Sequence, residues 1–330
     1  MSTQIFRFTE RVVFAVKRVA DDWDEPAAPE GGGGFTDAAM ISIHCLRIYL
    51  DTTYRMTIDL LKEMPQISRE IGLEPADLPH PSTLCLAFDR IEMAVCRTLL
   101  QQSAQLHNTG PVGAIDATYF ERSPASRSYC NKTKYEVQDL KATKLVDTET
   151  NVILDLHCTT TREGSDADIC KQLARRQADE LQILTADRGY DCTCLREYLR
   201  EELGLRPLIK HCINKHYDHA HNARIDDDLC HQRSLSETVF SSVKRSLGVA
   251  LRARVWYREF RELALMCAVY NIKKAARISA TGSCGPVSAA TAACCAGVLT
   301  QDIVLSWIFV TCEQTSAGPD SHPTRHPVIA

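Results

Sequence analysis

Between residues 112 and 247 the sequence changes period in a fixed order, and that order leaves few folds open. "VGAIDATYF" (112–120), "YEVQDLKATKLVD" (135–147) and "NVILDLHCTTT" (151–161) read as strands, the second joined to the third by a turn at Thr148–Asn151. "SDADICKQLARRQADEL" (165–181) is a capped amphipathic helix and "LQILTAD" (181–187) an apolar strand. "CTCLREYLREELG" (192–204) is a helix and "RPLIKHC" (206–212) a strand; a polar loop then runs to Gln232, and a further helix starts at Ser234. The order β-β-β-α-β-α-β-α predicts an α/β domain, a mixed five-stranded sheet flanked by helices. In that order the first and fourth strands are neighbours at the sheet centre.

The flanks have a different character. Residues 1–20 are weakly helical, and "DDWDEPAAPEGGGG" (21–34) is a linker whose four glycines suit no regular element. The helical period returns from Asp37. We divide the chain into an N-terminal segment and linker (1–36), a small helical domain (37–110), the α/β domain (111–278) and a poorly ordered extension (279–330) that is rich in Ala, Thr, Ser, Gly and Pro. The helices of 37–110, joined by tight turns, suit a helix-turn-helix DNA reader or a plain bundle.

Composition excludes some classes of function. No apolar run is long enough to span a bilayer, and the charged start does not resemble a secretory signal. Fifteen cysteines, an odd number without framework spacing, read as reduced thiols of a cytoplasmic protein. The net charge of −4 does not advertise a nucleic-acid binder. Its distribution is more telling: residues 233–277 carry ten basic side chains against three acidic. Such a stripe is either a phosphate footprint or a solvated helix face.

Three carboxylates stand where chemistry is expected. Asp116 lies in the middle of an apolar strand, where a charge without a partner is costly. Asp187 ends the fourth strand, at the crevice where open α/β sheets bind ligands; Gly189 then lets the chain turn sharply. Glu237 starts the helix after the last strand. Two carboxylates ~4 Å apart repel by roughly 4 kcal/mol at an effective dielectric near 20. A hard divalent cation, Mg²⁺ or Mn²⁺, removes that cost. Two such ions ~3.5–4 Å apart suit in-line displacement at phosphorus. Glu237 also has a plainer reading. Ser234-Leu235-Ser236-Glu237 fits the capping box, and Arg233 stands four residues before Glu237, at ion-pair spacing.

"GAIDATYFER", "TADRGYD" and "RSLSETVFSSVK" together resemble the DDE transposases of insertion sequences, in the group with a Y-(2)-R-(3)-E-(6)-K signature and of the type abundant in halophilic archaea. Arg233, Glu237 and Lys244 fit that spacing; Cys230 stands where the tyrosine belongs. The resemblance spans about Thr36 to Arg277. It implies an RNase H-like fold, with Asp116, Asp187 and Glu237 as catalytic residues holding two Mg²⁺ or Mn²⁺ ions. It also implies double-stranded DNA as partner, both the element's terminal inverted repeats and a target, with homo-oligomers pairing the ends at the nucleoid.

The DNA contacts expected on this reading are Arg188 and Tyr190 beside the second acid, Arg233 and Lys244 around the third, and Arg245, Arg252, Arg254 and Arg258 along the basic stripe. Tyr190 can stack on a base or pack over the strand end. Five of the eleven histidines fall in 211–231, with Cys212 and Cys230. Their spacing does not fit a zinc finger, and a polar loop touching DNA is the better reading.

Overall fold

The computed structural model describes residues 3–28, 34–122, 140–159, 165–248 and 250–281. Helices α1 (Gln4–Val16), α2 (Asp37–Tyr49), α3 (Tyr54–Glu63), α4 (Pro65–Glu70), α5 (Pro81–Arg90) and α6 (Met93–Ala104) precede the sheet. Several begin as their sequences dictate. The hydroxyls of Thr3, Thr36 and Thr53 accept from the amides of Phe6, Ala39 and Met56, each satisfying a donor that the first helical turn leaves unpaired. The acidic stretch before the glycines has a second use. The Asp22 carboxylate accepts from the amides of Asp37 and Ala38 at 2.6 and 3.1 Å, a negative charge at the positive end of α2.

The sheet follows the expected order. Strands β1 (Val112–Arg122), β2 (Leu140–Asp147), β3 (Ile153–Thr159), β4 (Ile183–Ala186) and β5 (Arg206–Ile209) lie as β3-β2-β1-β4-β5, and a short β6 (Ala250–Leu251) pairs with the end of β1. β1 runs antiparallel to β2 and parallel to β4. Asn151 takes the left-handed conformation that closes the β2–β3 turn. The Asp147 carboxylate holds that turn by accepting from the amides of Thr150 and Gly110.

Helix α7 (Asp166–Arg176) packs on one face of the sheet, with Ile169, Cys170 and Leu173 against Ile115, Leu145 and Leu184. Helices α11 (Arg233–Leu247) and α12 (Trp256–Thr281) cover the other, where Val239, Phe240 and Val243 join Phe120, Leu140 and Ala142. The same apolar cluster continues into α1, α2, α5 and α6. Strict alternation on β1 and β2 therefore sends odd residues to α7 and even residues, Asp116 among them, to α11.

Some local expectations need correction. The helix read at 192–204 is α8 (Thr193–Glu197) followed by a wider π turn (Tyr198–Glu202). The polar loop to Gln232 contains two short helices, α9 (His216–Asn222) and α10 (Asp227–His231). The last helix runs to Thr281, three residues into the span assigned to the extension; residues 282–330 lie outside the described residues, as do 135–139 of the second strand motif. The ten described cysteines are all free thiols. No helix among the described residues is long and apolar enough to cross a membrane.

Two histidines, His44 fully buried and His157 half-buried, make the fold sensitive to acid. Burial, with the charge of Arg47 adding, pushes His44 down to about 3, and burial with Arg176 and Arg97 pushes His157 down to about 4. The unfolded chain protonates these rings near 6.5. Stability is therefore full above pH 6.5 and is lost as pH falls towards the folded values. His44 alone is expected to cost about 2 kcal/mol between pH 7 and pH 5. Urea midpoints at the two pH values check this, and His44→Phe is expected to flatten the slope.

Candidate active site

Asp116 and Asp187 meet through strand register. β1 pairs with β4 as Val112↔Ile183, Gly113↔Leu184 and Ala114↔Thr185. Continuing that register by two residues brings Asp116 level with Asp187, just past the end of β4. Asp116 lies on the even face of β1, opposite Lys144 of β2. Helix α11, which carries Glu237, packs on that face. The Thr148 hydroxyl donates to the Gln232 side-chain oxygen at 2.8 Å, tying the start of α11 to the β2–β3 turn.

Asp116 feels the other two acids. Burial raises the Asp116 carboxyl above the usual range, and the charges of Glu237 and Asp187 raise it further; Lys144 and the Ala117 amide oppose the shift. Like charges disfavour ionisation when they share a site. Yet the acids are not gathered to the point of coordination. Among the described residues no three His, Cys, Asp or Glu side chains stand close enough together to hold one metal ion. Asp187 accepts from the Gly189 amide at 2.8 Å. Glu237, 61% exposed, pairs with Arg233 at 3.5 Å.

The capping box expected at Ser234 does not form. Gln232, the residue before α11, is itself helical, so α10 leads into α11 with hardly a break and no side chain caps it. The Ser234 hydroxyl donates instead to the His231 carbonyl. Glu237 is thus left to its ion pair, as the four-residue spacing predicted.

The other expected contacts divide into exposed and engaged groups. Arg188, Arg245 and Arg254 are exposed. Lys244 donates to the Tyr119 carbonyl at 2.7 Å and to the Thr118 hydroxyl at 3.2 Å, so it is docked on β1. Arg252 bonds to the Asp51 carboxylate and to the Thr52 carbonyl, and Arg258 makes a two-pronged pair with Asp89. These two arginines brace the N-terminal helices against the stretch around β6 and α12. A positive count along the sequence cannot distinguish such struts from free phosphate grips.

Tyr190 is also corrected. It is 4% exposed and packs with Leu195, Leu199 and Ala186 over the strand end, so its ring presents no face for stacking on a base.

Gly189 serves a purpose other than the one expected. Its φ is not among the positive values. A Cβ placed there would stand 2.9 Å from Asp187 Oδ1. A side chain at 189 would therefore displace the Asp187 carboxylate. Gly189→Ala is accordingly expected to leave the melting temperature nearly unchanged, since only a side-chain tip must shift. A reaction that depends on where Asp187 points is expected to slow by about 10²-fold.

Residue types alone did not single out Asp191 and Lys144. Asp191 accepts from the Cys212 amide at 2.5 Å and from Arg196. Burial opposes ionisation there, but the Cys212 amide and Arg196 hold the carboxyl below its usual range. With the Cys212 thiol 3.5 Å from the Arg188 carbonyl, the start of the His-rich segment is cinched to the turn after Asp187. Further along, His211 stacks on His221 at 3.6 Å and bonds Asp218 at 3.0 Å. Lys144 carries a signal that was there to be read: it is a charge on the apolar face of its strand, as Asp116 is on β1.

The site is an acidic cluster at a strand end of a mixed sheet, roofed by a helix with a basic flank. The sequence model of the transposase DDE domain family matches residues 107–272, half of the chain, and the chain belongs to that family. It is therefore a transposase of the DDE class, a family of DNA-cutting and DNA-joining enzymes that generally use divalent metal ions. No curated protein matches it. Among solved structures, the cryo-EM structure of a piggyBac transposase synaptic complex with hairpin DNA is similar over 86% of this chain and 77% of that one, with a TM-score of 0.44 and 10% identity.

Proposed function

We propose that this transposase cuts and joins DNA at the terminal inverted repeats of its own insertion element, with Asp116, Asp187 and Glu237 as the catalytic carboxylates on an RNase H-like sheet. The observation that supports this reading is the β1–β4 register, whose last pair is Ala114↔Thr185; carried two residues further, it sets Asp116 level with Asp187. The donor set is carboxylate oxygen, which suits Mg²⁺ or Mn²⁺, and a bound cation would relieve the repulsion that Glu237 and Asp187 exert on Asp116. Two such ions, when bound, supply an activated water or 3′-hydroxyl and stabilise the leaving oxygen at phosphorus.

The chain's own residues do the rest. Asp116, within β1, and Asp187, just past the end of β4, hold positions fixed by the sheet. Glu237, exposed on its helix, exchanges Arg233 for the shared site, and Arg233 is then released towards a phosphate. Arg188, Arg245 and Arg254, exposed in the structure, meet the DNA backbone. Arg252 and Arg258 reach DNA only by giving up Asp51 and Asp89. The signature reading, with Cys230 in place of the tyrosine, and the halophilic type belong to this proposal. So do a DNA-reading role for residues 37–110, the division of the chain into domains, pairing of ends by a homo-oligomer, and a cytoplasmic, nucleoid-associated site of action.

A second reading has one observation in its favour. No three ligating side chains converge among the described residues, as in a decayed transposase that recognises element ends without cutting. End-labelled terminal-repeat DNA with Mg²⁺ separates the two. Specific cleavage at the repeat end, lost with EDTA and restored by Mg²⁺, is the expected result. Specific binding with no new 3′ end under any divalent ion would establish the second reading and overturn the first.

A further inference from the structure

Lys144 has no part in the reading above, yet it is fully buried on the face that bears Asp116. Burying an amine is costly unless it finds partners. Lys144 finds them on α11: its Nζ donates to the Ser236 carbonyl at 2.5 Å and lies 3.1 Å from the centre of the Phe240 ring. Ser236 is the residue immediately before Glu237. One side chain therefore links the position opposite the first acid to the backbone beneath the third. A leucine or methionine could fill the same space between β2 and α11, but neither could hold a backbone carbonyl at a fixed point.

We propose that Lys144 is a positioning residue: by gripping the Ser236 carbonyl it docks the first turns of α11 on the sheet and sets how Glu237 stands relative to Asp116. The docking is a property of the metal-free protein. Its consequence for metal binding rests on the assignment of the three carboxylates under Proposed function.

Two variants of the full chain, Lys144→Met and Lys144→Gln, test this without DNA. Hydrogen exchange is read by mass spectrometry in the absence of metal. Lys144→Met is expected to lose protection roughly tenfold in peptides covering 233–243, the value of one buried hydrogen bond, with α6 and β3 unchanged. Lys144→Gln keeps an N–H donor on a shorter stem and is expected to fall between Lys144→Met and the wild type; it carries the test if Lys144→Met fails to fold. Calorimetric titration with Mn²⁺ is expected to show affinity about tenfold weaker in Lys144→Met. Wild-type protection in 233–243, or a loss spread evenly over residues 3–281, would overturn the docking role. Weakened protection with unchanged Mn²⁺ affinity would overturn the link to Glu237. A wild-type chain that binds no Mn²⁺ would count against the carboxylate assignment, while the exchange measurement still decides the docking.

Discussion

Asp187→Ala is expected to leave the protein folded and to lower DNA cleavage by at least about 10³-fold, the several kcal/mol that a metal-centred carboxylate site supplies. The folding cost is small for a stated reason. Asp187 is partly exposed at the end of β4, and its one described hydrogen bond is to the Gly189 amide two residues on. Losing such a cap costs about 1 kcal/mol. The carboxylate also adds to the repulsion that raises Asp116, so its removal relieves part of that strain in the metal-free protein. DNA binding is expected to survive, because the exposed arginines are untouched. Circular dichroism, a gel-shift assay and a cleavage assay on the same preparation check the three parts together. Cleavage at the wild-type rate would remove Asp187 from the site, and the register argument with it.

Asn271→Ala is expected to cost about 3 kcal/mol in stability and to lower the melting temperature by roughly 6–12 °C. Asn271 is fully buried on α12 and meets the outer edge of β3 as a neighbouring strand would. Its side-chain oxygen accepts from the Ile153 amide at 3.0 Å, and its nitrogen donates to the Ile153 carbonyl at 2.8 Å and to the Ser103 hydroxyl at 3.0 Å. Its own carbonyl bonds the His107 ring at 2.9 Å. Alanine removes every side-chain partner at once and leaves both backbone groups of Ile153 buried and unpaired, the expensive outcome. Unfolding of the destabilised variant uncovers the β3 edge, which invites pairing with other chains, so the variant is expected to aggregate on heating. Differential scanning calorimetry checks the first effect and light scattering the second.

Nothing in "MCAVYNIKKAAR" marked Asn271 in advance, because its role depends on an edge strand more than a hundred residues earlier. The same limit explains the basic stripe. Ten positive residues in 233–277 were legible, but Arg258 is engaged by Asp89 and Arg252 by Asp51, partners that only the packing of the helical region against α12 supplies. Tyr190 was left open between stacking and packing for want of knowing what lay over the strand end. The Ser234 capping box matched in letters and failed in structure because α10 leaves no break before α11 for a cap to fill.

What the sequence determined by itself is the order and period of the elements. Period two against period 3.6 is a local property, and so are the start of α2 at Thr36, the turn at Asn151 and the arrest of β4 before Asp187. From that order the strand arrangement followed, and with it the expectation that Asp116 and Asp187 stand side by side. Only the tertiary structure decided which charges are occupied, which faces are covered, and how far Glu237 stands from its partners. Those depend on side chains meeting across the sheet, Lys144 on Ser236 and Arg233 on Glu237 among them. Distances between groups remote in sequence are set by packing, which no local pattern encodes.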